Sequence, residues 1–139
     1  MKTSIALQTQ NRQPDYEISA LEWKVRTDLA AAYRLARLEG WDDLVYTHIT
    51  VRVPGKDEHF LINPFGLAFE EITASSLIKI DINGNVVGNA SGDVNGGGFT
   101  IHSAVHDARH DLNCVMHLHT NAGISLSMLQ CDLAGASMN

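Results

Sequence analysis

The sequence predicts a single mixed α/β domain, because segments with helical spacing alternate with segments rich in β-branched residues. No internal repeat, linker or low-complexity stretch divides the 139 residues. Hydrophobic residues make up 45% of the chain and charged residues 19%, which is typical of a folded domain. A chain of this length buries roughly two-thirds of the surface of its unfolded state. We therefore expect one α/β domain with its own hydrophobic core.

The first predicted element is a helix over residues 19–39, where apolar side chains recur at helical spacing. Ser19 and Glu22 have the form of a capping box at its start, and Gly40 supplies a stop at its end. The residues before it, 1–17, are polar and aperiodic. They predict a loosely ordered N-terminal arm, so that the domain spans residues 18–139.

Two hairpins are predicted after this helix. Residues 45–53 are rich in β-branched side chains, and residues 59–62 indicate the partner strand. Asn83-Gly84 separates the apolar residues 78–82 from 86–87, and this dipeptide is a strong signal for a two-residue turn. Each hairpin pairs two neighbouring strands of the α/β domain.

The C-terminal third begins with a glycine-rich stretch, residues 89–98, which predicts an irregular loop. Residues 100–112 have helical spacing. Residues 114–119 form a short apolar run that predicts a buried strand, and a last helix is expected over residues 122–130.

Charge and apolar patterning exclude several classes of partner. The formal net charge is −6 and no basic stripe is present, so we expect no nucleic-acid partner. The apolar runs fall well short of the roughly 20 residues of a membrane-spanning helix. Cys114 and Cys131 do not make a disulfide framework, and we expect both to be packing residues with reduced thiols. These features predict a soluble, cytoplasmic protein with no membrane partner.

The residue pair most suggestive of chemistry is His117 and His119. Alternate residues of a strand share a face, so these two imidazoles are expected to project together. Two imidazoles on a rigid strand can bind one metal ion, and zinc or another divalent metal suits nitrogen ligands. The alternative is a pair of strand-end histidines with ordinary hydrogen bonds.

A second group of histidines lies four residues apart along the predicted helix, at His102, His106 and His110. They could face a metal or carry protons near neutral pH, or form a polar helix face. His102 has the stronger functional claim because it lies at the helix start, beside the glycine-rich loop. Backbone N–H groups of Asn95 to Gly98 could hold an anion there, or the glycines could simply permit tight turns.

Several segments together resemble the class II aldolase/adducin family, from about Leu21 to Gln130. No single segment carries the resemblance, but their order and spacing do. The matching segments are Thr47-His48-Ile49-Thr50-Val51-Arg52, Ile62-Asn63-Pro64-Phe65-Gly66 with Glu71-Ile72-Thr73, Phe99-Thr100-Ile101-His102-Ser103-Ala104, and Val115-Met116-His117-Leu118-His119-Thr120.

The resemblance implies a three-layer α/β/α domain with a mostly antiparallel central sheet, assembled as a homotetramer. It also implies zinc, held in the family's enzymes by an H-x-H pair and a third, later histidine. His117 and His119 match the pair. The zinc would bind the oxygens of a small hydroxy-carbonyl or sugar-like substrate and stabilise the enediolate formed as a carbon–carbon bond breaks. Asn63, Gly66 and Gly97 are the candidate substrate-binding residues.

The sequence departs from the aldolase pattern in three respects. The aldolases carry a catalytic Glu at the position of Gly98, and His102 is the nearest titratable residue that could replace it. Their phosphate-binding residues correspond to Gly96, Gly97 and His48 here. No histidine follows His119, so the third ligand is absent. The first two departures place the chain closer to the adducin-like branch than to the phosphosugar aldolases. With the third ligand missing, a zinc site would need water, a substrate or another subunit to complete it.

Two functions follow as expectations. One is a divalent-metal-dependent lyase that cleaves a carbon–carbon bond in a small hydroxy-carbonyl compound. The other is an adducin-like binding or assembly domain without catalysis. Because the family continues well past residue 139, a truncated, inactive fragment of a longer protein is a third interpretation, and exposed strand edges would then favour association.

Overall fold

The computed structural model describes residues 18–55, 58–88, 90 and 92–130 of the chain. The predicted N-terminal arm, Cys131 and the C-terminal tail lie outside these residues. The helices are α1 (Ala20–Leu38), α2 (Gly96–Ala108) and α3 (Asn121–Ser127), with one 3-10 turn at Phe69–Glu71. The strands are β1 (His48–Arg52), β2 (His59–Ile62), β3 (Ile78–Asp81) and β4 (Cys114–His117).

The four strands form one sheet in the order β3-β2-β1-β4, and every neighbouring pair is antiparallel. In the pairing of β1 with β4, His48 lies opposite His117 and Thr50 lies opposite Val115. Since side chains alternate between the two faces of a strand, these four residues lie on one face of the sheet. β4 thus brings His117 beside the first residue of β1.

Each face of the sheet is covered by helical structure. On one face, α1 and the 3-10 turn pack against β1 and β2 in a core cluster that includes Tyr33, Ile49, Leu61 and Phe69. On the other face, Phe99 of α2 packs with Phe60, Ile62, Ile78 and Ile80 of β2 and β3. The predicted α/β/α layering around an antiparallel sheet is confirmed.

The start of α1 uses half of the predicted capping box. The Ser19 hydroxyl accepts the backbone N–H of Glu22 at 3.1 Å, as an N-cap residue should. The Glu22 carboxylate instead accepts from Arg26 and Lys79, each at 2.9 Å. The fully buried Arg26 also donates to the carbonyl of Leu77 at 2.7 Å. These contacts tie α1 to the chain entering β3.

Some element boundaries differ from the prediction. β1 begins at His48 rather than residue 45, because the preceding loop turns through Leu44, whose φ is +47°. α2 begins at Gly96, inside the stretch predicted as loop, because the Asn95 side chain caps it by accepting the N–H of Gly98 at 3.1 Å. The 3-10 turn was not predicted.

The prediction of a buried strand over residues 114–119 is wrong in length and in burial. β4 ends at His117, and three of its four residues are exposed because β1 is its one neighbour in the described sheet. Cys114 is exposed rather than packed in the core. Among the described residues, no helix is long and apolar enough to cross a membrane.

Candidate metal centre and the pocket beside it

The imidazoles of His117 and His119 converge, as their spacing predicts. His117 is the last residue of β4, and His119 follows just beyond the strand. Their Nε2 atoms lie 3.2 Å apart, and their ring planes are inclined by 78°. Partial burial and the neighbouring His119 lower the pKa of His117. Both effects favour the neutral imidazole, which is the form that binds metals.

This geometry fits two ligand positions of a zinc ion. Two nitrogens that are each about 2.0–2.1 Å from a tetrahedral zinc lie roughly 3.3 Å from each other, close to the 3.2 Å between the two Nε2 atoms. The part of the chain that the structure describes holds no group of three or more His, Cys, Asp or Glu residues suited to a metal. A metal held here would therefore draw its remaining ligands from elsewhere.

His119 is held by the loop that joins α1 to β1. Its backbone N–H donates to the carbonyl of Trp41 at 3.0 Å. Its Nδ1 lies 2.9 Å from a carboxylate oxygen of Asp43. Both contacts come from one short loop, so the position of the ring is linked to the conformation of that loop.

His48 occupies the space beside Gly98. A Cβ added to Gly98 would lie 2.6 Å from Nε2 of His48, closer than real Cβ atoms approach other groups, and 3.0 Å from Nδ1. The His48 ring lies 4.3 Å from that of His102 and 5.1 Å from that of His117, between centroids. Neither ring nitrogen has a hydrogen-bond partner among the described residues, and burial lowers the pKa of His48.

His102 and His106 share one partner, the hydroxyl of Thr50. His102 Nδ1 lies 2.7 Å from Thr50 Oγ1, and His106 Nε2 lies 2.9 Å from it. Both histidines are almost fully buried. Burial, with the neighbouring His48 second, lowers the pKa of His102 to about 3. Burial, with Arg52 second, lowers the pKa of His106 to about 4. Both imidazoles are therefore neutral at pH 7.

A small pocket opens between α2 and β4, next to the histidine pair. Its volume is about 190 Å³. His48, His102 and His117 line it together with the apolar side chains of Ile101, Val115 and Met116. His102, the predicted acid/base candidate, therefore shares a cavity with the predicted ligand His117.

The remaining candidates lie elsewhere. Asn63 follows β2, and its amide oxygen lies 2.8 Å from the Tyr33 hydroxyl of α1, on the opposite side of the sheet from α2. Gly66 is exposed and has a φ of +93°, and Gly97 is exposed in the first turn of α2. His110 lies beyond the end of α2, where its Nδ1 is 3.2 Å from Glu58. The substrate-binding roles of Asn63, Gly66 and Gly97 stay predictions.

Two residues at this site were missed as functional candidates. In the sequence His48 stands out only as a departure from the aldolase motif, although its alternation with Thr50 places both residues on the face that α2 covers. Asp43 gave no signal, because it is 76 residues from His119 in the sequence. Only the folded chain brings it to the imidazole.

The α/β/α layering around the antiparallel sheet agrees with the match to a known family. Residues 27–138 match the family described as the class II aldolase and adducin N-terminal domain. This chain belongs to that family. A Pseudomonas aeruginosa protein provisionally named a class 2 aldolase is 58% identical over 111 residues, which cover 80% of this chain and 42% of that protein. Mouse alpha-adducin is 52% identical over 111 residues, covering 78% of this chain and 15% of the adducin.

Solved structures support the same assignment. An aldolase II superfamily protein from Pseudomonas syringae has a TM-score of 0.78 and 57% identity to this chain. The match covers 81% of this chain and 46% of the Pseudomonas syringae chain. L-fuculose 1-phosphate aldolase from Glaciozyma antarctica has a TM-score of 0.77 and 38% identity, covering 88% and 51% of the two chains. The chain thus spans about half the length of these structures and less than half of the curated relatives above.

Proposed function

We propose that the chain binds a divalent metal ion, with zinc as the best candidate, through His117 and His119. We further propose that the metal-loaded site acts as a carbon–carbon lyase on a small hydroxy-carbonyl compound. The observation that carries the proposal is the 3.2 Å approach of the two Nε2 atoms beside a pocket of about 190 Å³. Membership of a family that includes aldolases supports the reaction class.

His117 and His119 would hold the metal, and the other pocket residues would define the space for the substrate. A divalent metal supplies positive charge where negative charge develops on a carbonyl or hydroxyl oxygen. Ile101, Val115 and Met116 would exclude water from one side of a small ligand. His102 is the candidate proton carrier, because it lines the same pocket, but its Nδ1 already contacts Thr50.

One observation favours the second candidate function, an adducin-like binding or assembly domain without catalysis. By the family resemblance, Gly98 corresponds to the position of the aldolases' catalytic Glu, and the His48 ring fills the space beside Gly98. No carboxylate can enter there unless His48 moves. The similarity to adducins supports the same interpretation. In this function the family fold is kept, and the metal pair could remain as a structural feature.

Elemental analysis of the purified chain tests metal binding. We expect near-stoichiometric zinc in the wild-type chain and in a His110→Ala control, whose side chain lies outside the pair. The double variant His117→Ala/His119→Ala should lose it. Equal metal content in the wild type and the double variant would remove the proposed site.

Solvent deuterium exchange separates the two functions. A lyase of this type removes a proton from carbon or returns one, so zinc-loaded chain should exchange deuterium into small hydroxyketones. The exchange should disappear in His117→Ala/His119→Ala and fall in His102→Ala. Zinc binding without any exchange would favour the binding domain.

The proposal also includes assembly and location. By family resemblance we propose a homotetramer, which sedimentation velocity over a range of protein concentrations would test. The predicted cytoplasmic location stays a prediction.

A further inference from the structure

The loop between α1 and β1 is tightly built around Asp43. The Trp41 N–H donates to the carbonyl of Ala36 at 2.9 Å, which fixes the start of the loop to the end of α1. The Asp43 N–H donates to the Thr47 hydroxyl at 3.2 Å, and the Asp43 carbonyl accepts the N–H of Tyr46 at 2.9 Å. The Asp43 carboxylate is thus presented by a backbone that is hydrogen-bonded on both sides.

This loop contacts His119 at two atoms. The Trp41 carbonyl accepts the backbone N–H of His119 at 3.0 Å, and Asp43 Oδ2 lies 2.9 Å from Nδ1 of the same residue. An exposed ion pair by itself contributes little to stability. Here the hydrogen bond from the His119 N–H to the Trp41 carbonyl also holds His119 against the loop, so its ring stays close to the Asp43 carboxylate. The pair therefore has a defined geometry that a freely moving surface pair lacks.

The chemistry of the two partners determines where the proton lies. An ionised carboxylate can only accept a hydrogen bond, so Nδ1 of His119 must carry the hydrogen. In a neutral imidazole the other nitrogen, Nε2, then carries a lone pair that can accept a hydrogen bond or bind a metal. That lone pair belongs to the atom that lies 3.2 Å from Nε2 of His117.

We propose that Asp43 is a positioning residue that fixes His119 as its Nδ1–H tautomer and directs the Nε2 lone pair toward the metal. The inference rests on the metal site proposed above. Carboxylates that accept the second N–H of a histidine ligand orient the ring and raise its basicity. The neighbouring Asp42 does not share this role, because its carboxylate contacts Arg37 at 3.4 Å.

The tautomer is measured directly in the metal-free full chain by two-bond ¹H–¹⁵N correlation spectra of the imidazoles at about pH 9, where an ordinary histidine is neutral. The wild type and the Asp42→Asn control should show His119 with its proton on Nδ1. In Asp43→Ala the His119 signals should shift to a mixture or to the Nε2–H form. An unchanged His119 tautomer in Asp43→Ala would overturn the proposal.

Zinc affinity, measured by competition with a chromogenic chelator, provides the second readout. Loss of such a partner typically weakens metal binding by about 10–100-fold. We expect that loss in Asp43→Ala, and a smaller one in Asp43→Asn, whose amide oxygen still accepts a hydrogen bond. Asp42→Asn removes the same charge one residue away. Because the Asp42 carboxylate contacts Arg37 and not His119, this variant should change the affinity far less. Equal losses of zinc affinity in Asp42→Asn and Asp43→Ala would show that only the negative charge of the loop matters, and would overturn the proposal.

The two readouts separate this proposal from the metal site itself. Wild-type chain that binds no zinc would refute the proposed metal site. The tautomer spectra of the same metal-free chain would still confirm or overturn the action of Asp43 on His119. Circular dichroism of each variant identifies any loss of fold.

Discussion

At the scale of single residues, His48 and Gly98 form one structural unit. The imidazole packs where a side chain at position 98 would begin. A larger residue at position 98 is therefore compatible with the fold only if His48 is smaller or displaced.

This packing predicts that Gly98→Ala destabilises the fold. Forcing extra atoms into a packed site typically costs about 1–3 kcal/mol, which exceeds the roughly 0.5–1 kcal/mol that alanine gains over glycine in a helix. Urea unfolding measures the change. Gly96→Ala is the matched control because its added Cβ meets nothing within 4 Å. In a His48→Ala background the cost of Gly98→Ala should largely vanish, and an undiminished cost there would contradict the packing explanation.

His106 predicts a specific pH dependence of stability. Its folded-state pKa is about 4, lowered first by burial, against about 6.5 for an ordinary histidine. Between these values the unfolded chain binds a proton that the folded chain does not, so stability falls as the pH drops from 6.5 to 4. The loss is on the order of 3 kcal/mol from this group. This contribution to stability is fully present well above pH 6.5.

Unfolding free energies measured from pH 7 to pH 4 test this dependence. His106→Asn should be less stable at pH 7 and should show a shallower fall with acid. His110→Asn is the control, because that side chain lies outside the core and is mostly exposed. A wild-type slope that His106→Asn leaves unchanged would show that other groups cause the acid sensitivity.

At the scale of elements, Tyr33 joins α1 to two strands. Its hydroxyl accepts the N–H of Ile49 in β1 at 2.9 Å and lies 2.6 Å from the Ile49 carbonyl. It also lies 2.8 Å from the Asn63 amide oxygen, just after β2. All three residues are buried, so these polar groups depend on one another for hydrogen bonds.

Tyr33→Phe should therefore destabilise the chain while leaving the core volume nearly intact. Leaving a buried N–H without its partner costs about 1–3 kcal/mol, and urea unfolding with circular dichroism measures it. Tyr46→Phe is the matched control, because Tyr46 is 62% exposed. Similar effects of the two substitutions would show that the Tyr33 hydroxyl does not connect the elements.

At the scale of the whole molecule, the proposed metal predicts an increase in stability. A ligand that binds only the folded state stabilises it by about 2.7 kcal/mol at 100 times its dissociation constant. Zinc should therefore raise the unfolding midpoint of the wild type and of His110→Ala, but not that of His117→Ala/His119→Ala. Calorimetry with added zinc or with a chelator measures this. A shift that persists in the double variant would locate the binding elsewhere.

Local sequence patterns predicted most of the helices and strands and the convergence of His117 and His119. The periodicity of α1, the β-branched residues of β1 and the short apolar run of β2 depend on neighbours in sequence, so they could be predicted. The predicted two-residue turn at Asn83-Gly84 is wrong. The chain reverses over three residues, 82–84, and the expected return strand is a single bridge between Ile80 and Val86. The projection of His117 and His119 to one side follows from strand geometry in the same way. The start of α2 was missed because glycines 96–98 have low helix propensity, which the Asn95 cap overcomes.

Only the tertiary structure decided which residues surround those histidines. Asp43 contacts His119 across 76 residues, and Thr50 contacts His102 across 52. Exposure of β4 depends on which strands lie beside it, and an apolar run cannot specify its neighbours. The sequence by itself indicated the family, the family resemblance implied the layers, and the spacing of His117 and His119 predicted that their side chains project together. The packing of distant elements decided the contact of Asp43 with His119 and the position of His48 beside Gly98. Contacts between residues far apart in sequence produce no periodic pattern, so the sequence alone could not predict them.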